Sequence, residues 1–445
     1  MRLFSTFLIG LALCAFAASA QQTHTQSSTA RKRVQTDPAA AELNRLLATA
    51  QEAVDKQDFA AAARAYEDYL AKKPDDPTAH YNLGYVYTAL SRLDDARGEY
   101  ERAISLAPSD PKMAPAYQNL GMILLPKDPG AAIEPLRHAT ELEPQDAHAK
   151  WLLGTALERN GKNAAAIEQF EAASKLDDKD VEIRISLGFA LLGAGRTAEA
   201  EAAYRAALSL HPEDDALRQA HLGLARSLLV QKKLDAAAFE FGAYLELEPS
   251  DVTVRIDRAS VLVDSGKDDD ALAELDKAAS GGPEGLRALK LRSQILWEKK
   301  RYDDAIPVLQ KAAAIAPTDP DIAARLGRVY VAKKDYPNAL HWVAIAYNMN
   351  PSANDLLTQV VEVEYLNQNY GQALAALDAL SKREDLPAGS WYLRATCYDK
   401  LDRLQEALDA YQKFLQLNND ENSDMYFVST ARVRALTREL KDKKR

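Results

Sequence analysis

The chain has 445 residues and a mass of 48.9 kDa, with 47% apolar residues, 27% charged residues and a formal charge of −10. That balance excludes a collagen-like chain, a mostly disordered one and a multi-span membrane protein. Gly and Pro number only 19 each, and so few breakers in an Ala- and Leu-rich chain point to helix.

At the N-terminus, Met1-Arg2 precede an apolar run from Leu3 to Phe16, and Ala18-Ser19-Ala20 follow. One positive residue, a short apolar run and a small-x-small end form the pattern of a secretory signal peptide over residues 1–20. The run is shorter than the ~20 residues of a membrane span. The expected mature chain therefore has no stable membrane insertion, and its expected location is the periplasm of a bacterium or outside the cell. An uncleaved anchor is the alternative reading. Cys14 would leave with the signal, and Cys397 alone cannot form an internal disulfide; it reads as a small buried apolar side chain. Residues 21–42 begin QQTHTQSSTARKRVQTD, lack an apolar period and read as a flexible polar linker.

Prolines mark a period in residues 43–421. Pro74, Pro108, Pro144, Pro212, Pro249, Pro283, Pro317 and Pro351 recur at about 34 residues or twice that, most of them before an Asp-rich turn. Pro there ends one helix and Asp can cap the next. Twelve residues before each slot, with Asp178 in the one that lacks Pro, stands Ala: Ala62, Ala96, Ala132, Ala166, Ala200, Ala237, Ala271, Ala305 and Ala339, continued by Ala373 and Ala407. Four residues after each Ala is a large side chain, from Tyr66 and Tyr100 to Leu377 and Tyr411. The i, i+4 spacing puts both on one helical face. An earlier small slot holds Gly84, Gly121, Gly154, Gly188 and Gly327, among others. Mid-helix Gly costs about 1 kcal/mol against Ala, so its recurrence predicts a second helix crossing close by.

With Tyr81-Asn82-Leu83-Gly84, Tyr87, Ala96, Tyr100, Ala103 and Pro108 as its best copy, the chain resembles the tetratricopeptide repeat family, whose unit is a 34-residue helix–turn–helix. The resemblance covers about eleven copies. It implies an all-α fold, an α-α superhelix or right-handed solenoid of stacked hairpins. Residues 422–445 are expected to form a capping helix and basic tail, with Met425, Val428, Ala431, Leu436 and Leu440 as its inner stripe and Arg432, Arg434 and Arg438 outside it.

Bases outnumber acids by seven to three in residues 424–445 and by four to two in residues 1–42, so the intervening body carries −16. Such a body would repel phosphates and argues against a nucleic-acid partner. The seven histidines have no metal-ligand spacing, and no phosphate-binding Gly loop or nucleophile elbow is present. Neither Asp268-Asp269-Asp270 nor Asp177-Asp178-Lys179-Asp180 has the ligand ladder of a calcium loop, and both sit where helix N-termini are expected. No cofactor, metal site or catalytic residue is predicted, and the chain reads as a non-enzyme.

In the tetratricopeptide family the first helix of each unit lines a concave groove. The resemblance maps the groove positions onto Tyr81, Tyr85, Met122, Leu125, Trp151, Ile185, Phe189, Leu192, Leu222 and Leu229, followed by the charged Arg287, Lys290, Asp321 and Glu362. The Lys/Asn clamp that some members use for a terminal carboxylate is replaced by Leu47 and Gln51 in the first unit. The implied function is a non-catalytic scaffold or adaptor that takes a peptide or helix of a protein partner, in a cell-envelope complex. The alternatives are a self-assembling structural subunit and an accessory factor of an envelope polysaccharide or secretion machine. The sequence leaves the oligomeric state open.

Overall fold

In the computed structural model, residues 38–279, 282–418, 420 and 422–443 are described. The predicted signal peptide and most of the predicted linker lie outside them. Every regular element among the described residues is helical. Chain contacts group into two units that divide between Ala116 and Tyr117.

The first unit contains α1 (Pro38–Asp55), α2 (Phe59–Lys72), α3 (Pro77–Ala89) and α4 (Leu93–Leu106), then a 3₁₀ turn at Pro111–Met113 and the start of α5 (Ala114–Leu124). Helix α1 begins five residues earlier than the predicted linker allowed. Pro38 supplies the fixed φ suited to a first helical position, and Ala39-Ala40-Ala41-Glu42 are good helix formers. Asp58 and Asp76 cap α2 and α3 with their side chains; Asp76 accepts from Thr78 N and Ala79 N, each at 3.2 Å.

The second unit completes α5 and continues with α6 (Pro129–Leu142), α7 (Ala147–Arg159), α8 (Asn163–Leu176), α9 (Val181–Gly193), α10 (Thr197–Leu208), α11 (Asp214–Val230) and α12 (Leu234–Leu247). Then come α13 (Val252–Asp264), α14 (Asp268–Ala278), α15 (Gly282–Glu298), α16 (Tyr302–Ile315), α17 (Pro320–Ala332) and α18 (Tyr336–Met349). It ends with α19 (Asn354–Leu366), α20 (Tyr370–Ser381), α21 (Ala388–Lys400), α22 (Leu404–Leu417) and α23 (Asp424–Lys443). Asp146, Asp180, Asp251 and Asp319 cap α7, α9, α13 and α17 as the turn pattern predicts.

The packing rule behind the repeats is direct. All eleven Ala of the periodic slot, Ala62 through Ala407, have no exposed surface, and the large residues four positions on are buried with them. Where the small slot of the preceding helix is Gly, the side chain of that second set lies against it. A Cβ added to Gly84 would stand 2.8 Å from the Tyr100 ring, one on Gly121 2.4 Å from Leu136, and one on Gly154 2.7 Å from Phe170. Those distances are inside van der Waals contact, so any side chain at these glycines would push the hairpin open.

In the second unit each helix packs chiefly on its sequence neighbours, which is the architecture of a stacked repeat. First helices also meet across hairpins, α7 with α9, α9 with α11 and α13 with α15, whereas no two second helices share an equally extensive contact. The first helices therefore form the closer-set, inner row of this all-α superhelix.

Helix α23 packs on α22, with Leu436 buried and Val433 and Leu440 beside it against Ala407 and Tyr411. The predicted inner stripe is corrected. Met425, Val428 and Ala431 are exposed, and Arg432 turns inward. Its Nε and Nη2 donate to the two oxygens of Asp399 at 2.7 and 2.6 Å, a bidentate pair that compensates the guanidinium for its partial loss of water.

Candidate protein-binding face

The inner row of the second unit is built from first helices, so its surface is set by which side chains the neighbouring hairpins leave uncovered. Of the predicted groove residues, Leu125 and Ile185 belong to the core, at 6% and 5% exposure, and are not available to a partner. Leu125 follows the last residue of α5 where the chain turns toward α6, and Ile185 is covered by the adjoining hairpins. Met122, Trp151, Leu192, Leu222 and Leu229 are half-buried, each packed on the core by one side. Phe189 is 60% exposed and is the freest aromatic ring of the row. Tyr81 and Tyr85 are half-buried on α3 in the first unit, with the Tyr81 ring 6.1 Å from that of Tyr100.

Trp151 is fixed as well as half-buried. Its Nε1 donates to Ser186 Oγ at 2.9 Å, tying α7 to α9, and its ring stacks on His148 with centroids 5.3 Å apart. The indole thus offers a pre-set surface with little entropy left to lose on binding.

The charged side chains of the row fall into two groups. Glu158 and Glu182 stand near its Trp151 and Phe189 end. Burial is the main cause that holds the Glu158 carboxyl above its usual range, against the pull of Arg159. Glu182 is raised too, by partial loss of hydration at the start of α9, reinforced by Asp180 and Asp215, although its side chain remains exposed. In the later repeats the charges find partners: Lys290 Nζ is 2.7 Å from Asp319, Arg287 is 3.6 Å from Asp257, and Arg325 is 2.8 Å from Asp321.

Tyr204, which the groove positions do not include, is a buried ring that reaches toward the row. It comes from α10, a second helix, and its ring passes toward the row between α9 and α11. A Cβ on Gly188 would lie 2.9 Å from its Cζ, and one on Gly223 2.2 Å away. Gly188 belongs to the periodic small slot; Gly223 does not, and an isolated Gly inside a helical pattern was the one available signal.

The acidic turns act as helix starts. Asp180 caps α9, accepting from Ile183 N at 3.0 Å. Asp268 pairs with Lys299 at 2.7 Å at the positive end of α14. Among the described residues no cluster of His, Cys, Asp or Glu is arranged to hold a metal ion. Cys397 is fully buried, and burial pushes its thiol up to about 11.

The sequence model of the tetratricopeptide repeat matches residues 33–111, 127–181, 185–252 and 256–320, together more than half of the chain. This chain belongs to the tetratricopeptide repeat family. A second tetratricopeptide model matches residues 296–360, and one described as subunit 3 of the anaphase-promoting complex, cyclosome, matches residues 332–414. No curated protein matches the sequence. Among solved structures, a MamA protein is 26% identical over 38% of this chain and 91% of its own, with a TM-score of 0.36. YrrB, a tetratricopeptide protein with an unusual peptide-binding site, is 19% identical over 46% of this chain and all of its own, with a TM-score of 0.39. Yeast Tom70 is 14% identical over 90% of this chain and 96% of its own, with a TM-score of 0.33. The repeat family supports a protein-interaction scaffold in general terms. No helix among the described residues is long and apolar enough to cross a membrane.

Proposed function

We propose that the protein is a non-catalytic adaptor that takes a peptide or helix of a partner protein on the inner row of its second unit, and that it works in the cell envelope. One observation carries the first half: Phe189 is largely exposed in a row where Met122, Trp151, Leu192, Leu222 and Leu229 each leave one side uncovered. A run of partly uncovered apolar side chains, one or more per repeat, matches the anchor spacing of an extended or helical segment. YrrB is described as binding a peptide, which agrees with this reading of the present chain. The envelope half rests on the signal-like residues 1–20.

The test uses a photo-crosslinking residue placed at Phe189 or at Phe239. Phe239 is 71% exposed on α12, a second helix, and serves as the control. Capture of a partner from position 189 and not from 239 supports the inner row; equal capture, or capture only at 239, rejects it. Export is tested by N-terminal sequencing of the chain from a periplasmic extract, which should begin at Gln21.

The self-assembling subunit is the second reading, because the end of the stack is not the polar cap that a terminal repeat calls for. Phe427 is 76% exposed on α23, with Met425 and Val428 nearby at 45% and 44%. Light scattering of the intact chain and of Phe427→Asp decides it. A dimer or larger species that this change dissolves favours assembly; a monomer in both disfavours it.

A further inference from the structure

We propose that the outward face of α23 binds an anionic lipid surface, with Phe427 as its apolar anchor and Arg434, Arg438 and Lys441 as its cationic line. This goes beyond the reading of the inner row and does not rest on it.

Helix α23 has two sides of opposite character. Leu436 faces inward and is fully buried beside Ala407 and Tyr411 of α22, and Arg432 turns to Asp399. On the other side, Phe427, Ala431, Arg434, Arg438 and Lys441 follow one another at steps of four, three, four and three residues, which traces a single stripe along a helix. All five are exposed, Phe427 at 76%. The rise of a helix sets the three cations about 4.5–6 Å apart along the axis.

This line works against the helix that carries it. Arg434 and Arg438 are i, i+4, and Arg438 and Lys441 are i, i+3, so like charges repel along one face. Elsewhere the chain gives the same spacings to opposite charges: Arg92 is 2.7 Å from Asp95, Arg97 2.7 Å from Glu101, and Arg403 2.8 Å from Glu406. On α23 the ion pairs belong to Arg432, and Arg434, Arg438 and Lys441 make none among the described residues. The negative end of a helix favours a cation in its last turn, which accounts for Lys441. That attraction fades within the turn and gives no reason for Arg434 or Arg438. A self-repelling line held on an uncovered face is the complement of an anionic surface.

The occupant follows from the charge and the aromatic ring together. Residues 424–445 carry +4 on a chain of −10, so this segment, and not the acidic body, is what an anionic surface attracts. A soluble polyanion would pair with the arginines and leave Phe427 in water. The α23 of a second copy, laid along the same face, would bring three further cations to it. A bilayer interface takes both parts: headgroup phosphates meet the cations, and the acyl boundary takes Phe427, with Met425 and Val428 exposed in the same first two turns at 45% and 44%. One apolar anchor joined to a basic cluster gives reversible attachment at the surface, not a span.

The experiment is flotation of the intact chain with large vesicles of phosphatidylcholine, or of an equal mixture of phosphatidylcholine and phosphatidylglycerol. Binding to the mixed vesicles should be stronger by about tenfold or more, and it should fall away at about 1 M salt, where charges are screened beyond about 3 Å. Arg434→Glu with Arg438→Glu should abolish it, and Phe427→Ser should weaken it about fivefold. Lys112→Glu with Lys162→Glu makes the same change of net charge at two exposed positions elsewhere and should alter binding less than about twofold. Every substituted side chain is exposed, so an unchanged thermal melt confirms that each variant is folded. Equal binding to the two kinds of vesicle, or equal losses from the two charge reversals, overturns the proposal. Binding that needs the arginines and not Phe427 assigns the face to a polyanion and overturns it as well. In light scattering without lipid, an oligomer that Phe427→Asp dissolves gives the face to a second copy and has the same consequence.

Discussion

Two regions of the second unit, around α7 and α9 and around α13 to α17, use particular carboxylates in opposite ways. Around α7 and α9, Glu158 and Glu182 make no ion pair among the described residues, and burial is the main cause that raises Glu158. From α13 to α17, Glu274 and Asp319 bridge helices. Glu274 is 2.7 Å from Arg255, 3.1 Å from Arg258 and 3.2 Å from Lys277, and Asp319 holds Lys290. Burial alone would raise Glu274 and Asp319; the hydrogen bonds from Arg255 and Lys277 to one, and from Lys290 to the other, outweigh it and hold both below the usual range. Glu274 and Asp319 thus fasten neighbouring helices to each other, whereas Glu158 and Glu182 make no such bridge among the described residues.

The largest expected effect tests whether the fastened region is truly fastened. Glu274 and Arg255 are 6% and 9% exposed, so Glu274→Ala strands a guanidinium in the core and should cost about 3–5 kcal/mol. Glu182→Ala, at an exposed and unpaired position, should stay within about 0.5 kcal/mol. Urea titration of both variants gives the answer, and comparable losses would erase the contrast.

Next comes the gap at Tyr204. Ser186, Asp257, Leu291 and Arg325 occupy the helix position that Gly223 holds in α11, so this glycine is a local choice and not a repeat signature. Gly223→Ala forces a methyl onto the ring and should cost about 1–3 kcal/mol. A Tyr204→Leu background should remove most of that cost. A double-mutant cycle with no coupling energy would mean that the ring does not pass through the gap.

Much of this fold is legible in the sequence because it repeats. The Ala slot, the large residue four positions on and the Asp caps each recur, and a recurrence is a packing requirement stated many times over. Leu125 and Ile185 were not legible as core, since a large apolar side chain in the row is covered or uncovered by the stagger of the next hairpin, which no single repeat encodes. Arg432 misleads for a different reason: amphipathic patterning assigns Arg to the outside, but Asp399, 33 residues earlier in the sequence, draws it in. Tyr204 is readable as a filler of its slot, while its lack of a hydrogen bond depends on Gly223 and on what its neighbours do not offer. The two residues by which the Pro108–Pro144 spacing exceeds 34 are taken up at the 3₁₀ turn of Pro111–Met113.

Acid titration should pull the two regions apart. For Glu158 the folded pKa lies above the ordinary value of 4.5. Between those two values the folded chain binds a proton that the unfolded chain has released, so stability rises as pH falls through the folded pKa. Glu158→Gln should therefore raise the melting temperature at pH 7 and give no gain at pH 4. For Glu274 the folded pKa is lowered, so its contribution is present above 4.5 and is lost as pH falls through the folded value. Glu274→Gln should lower the melting temperature at pH 7, and the deficit should shrink as the medium is acidified. Shifts of the same sign in both variants would contradict the division.

The smallest effect concerns the turns between the two helices of a hairpin. One residue of each such turn takes positive φ in most hairpins. In the second unit it is Gly161 at +77°, Gly195 at +76° and Gly266 at +75° in three of them, but Lys232 at +57° and, from α15 onward, Lys300 at +56°, Lys334 at +61°, Gln368 at +63° and Asp402 at +57°. A non-glycine residue there carries strain of about 1–2 kcal/mol. Replacing it with Gly removes that strain but adds freedom to the unfolded chain, which costs back about 0.5–1 kcal/mol. Lys334→Gly should accordingly stabilise by about 0.5 kcal/mol, and the reverse exchange, Gly195→Lys, should destabilise by a similar or larger amount. Paired melts would show it as shifts of opposite sign, smaller than any above. If Lys334→Gly destabilises, the later turns owe their geometry to contacts of the lysine side chain, and the fastening of that region extends from its ion pairs into its turns.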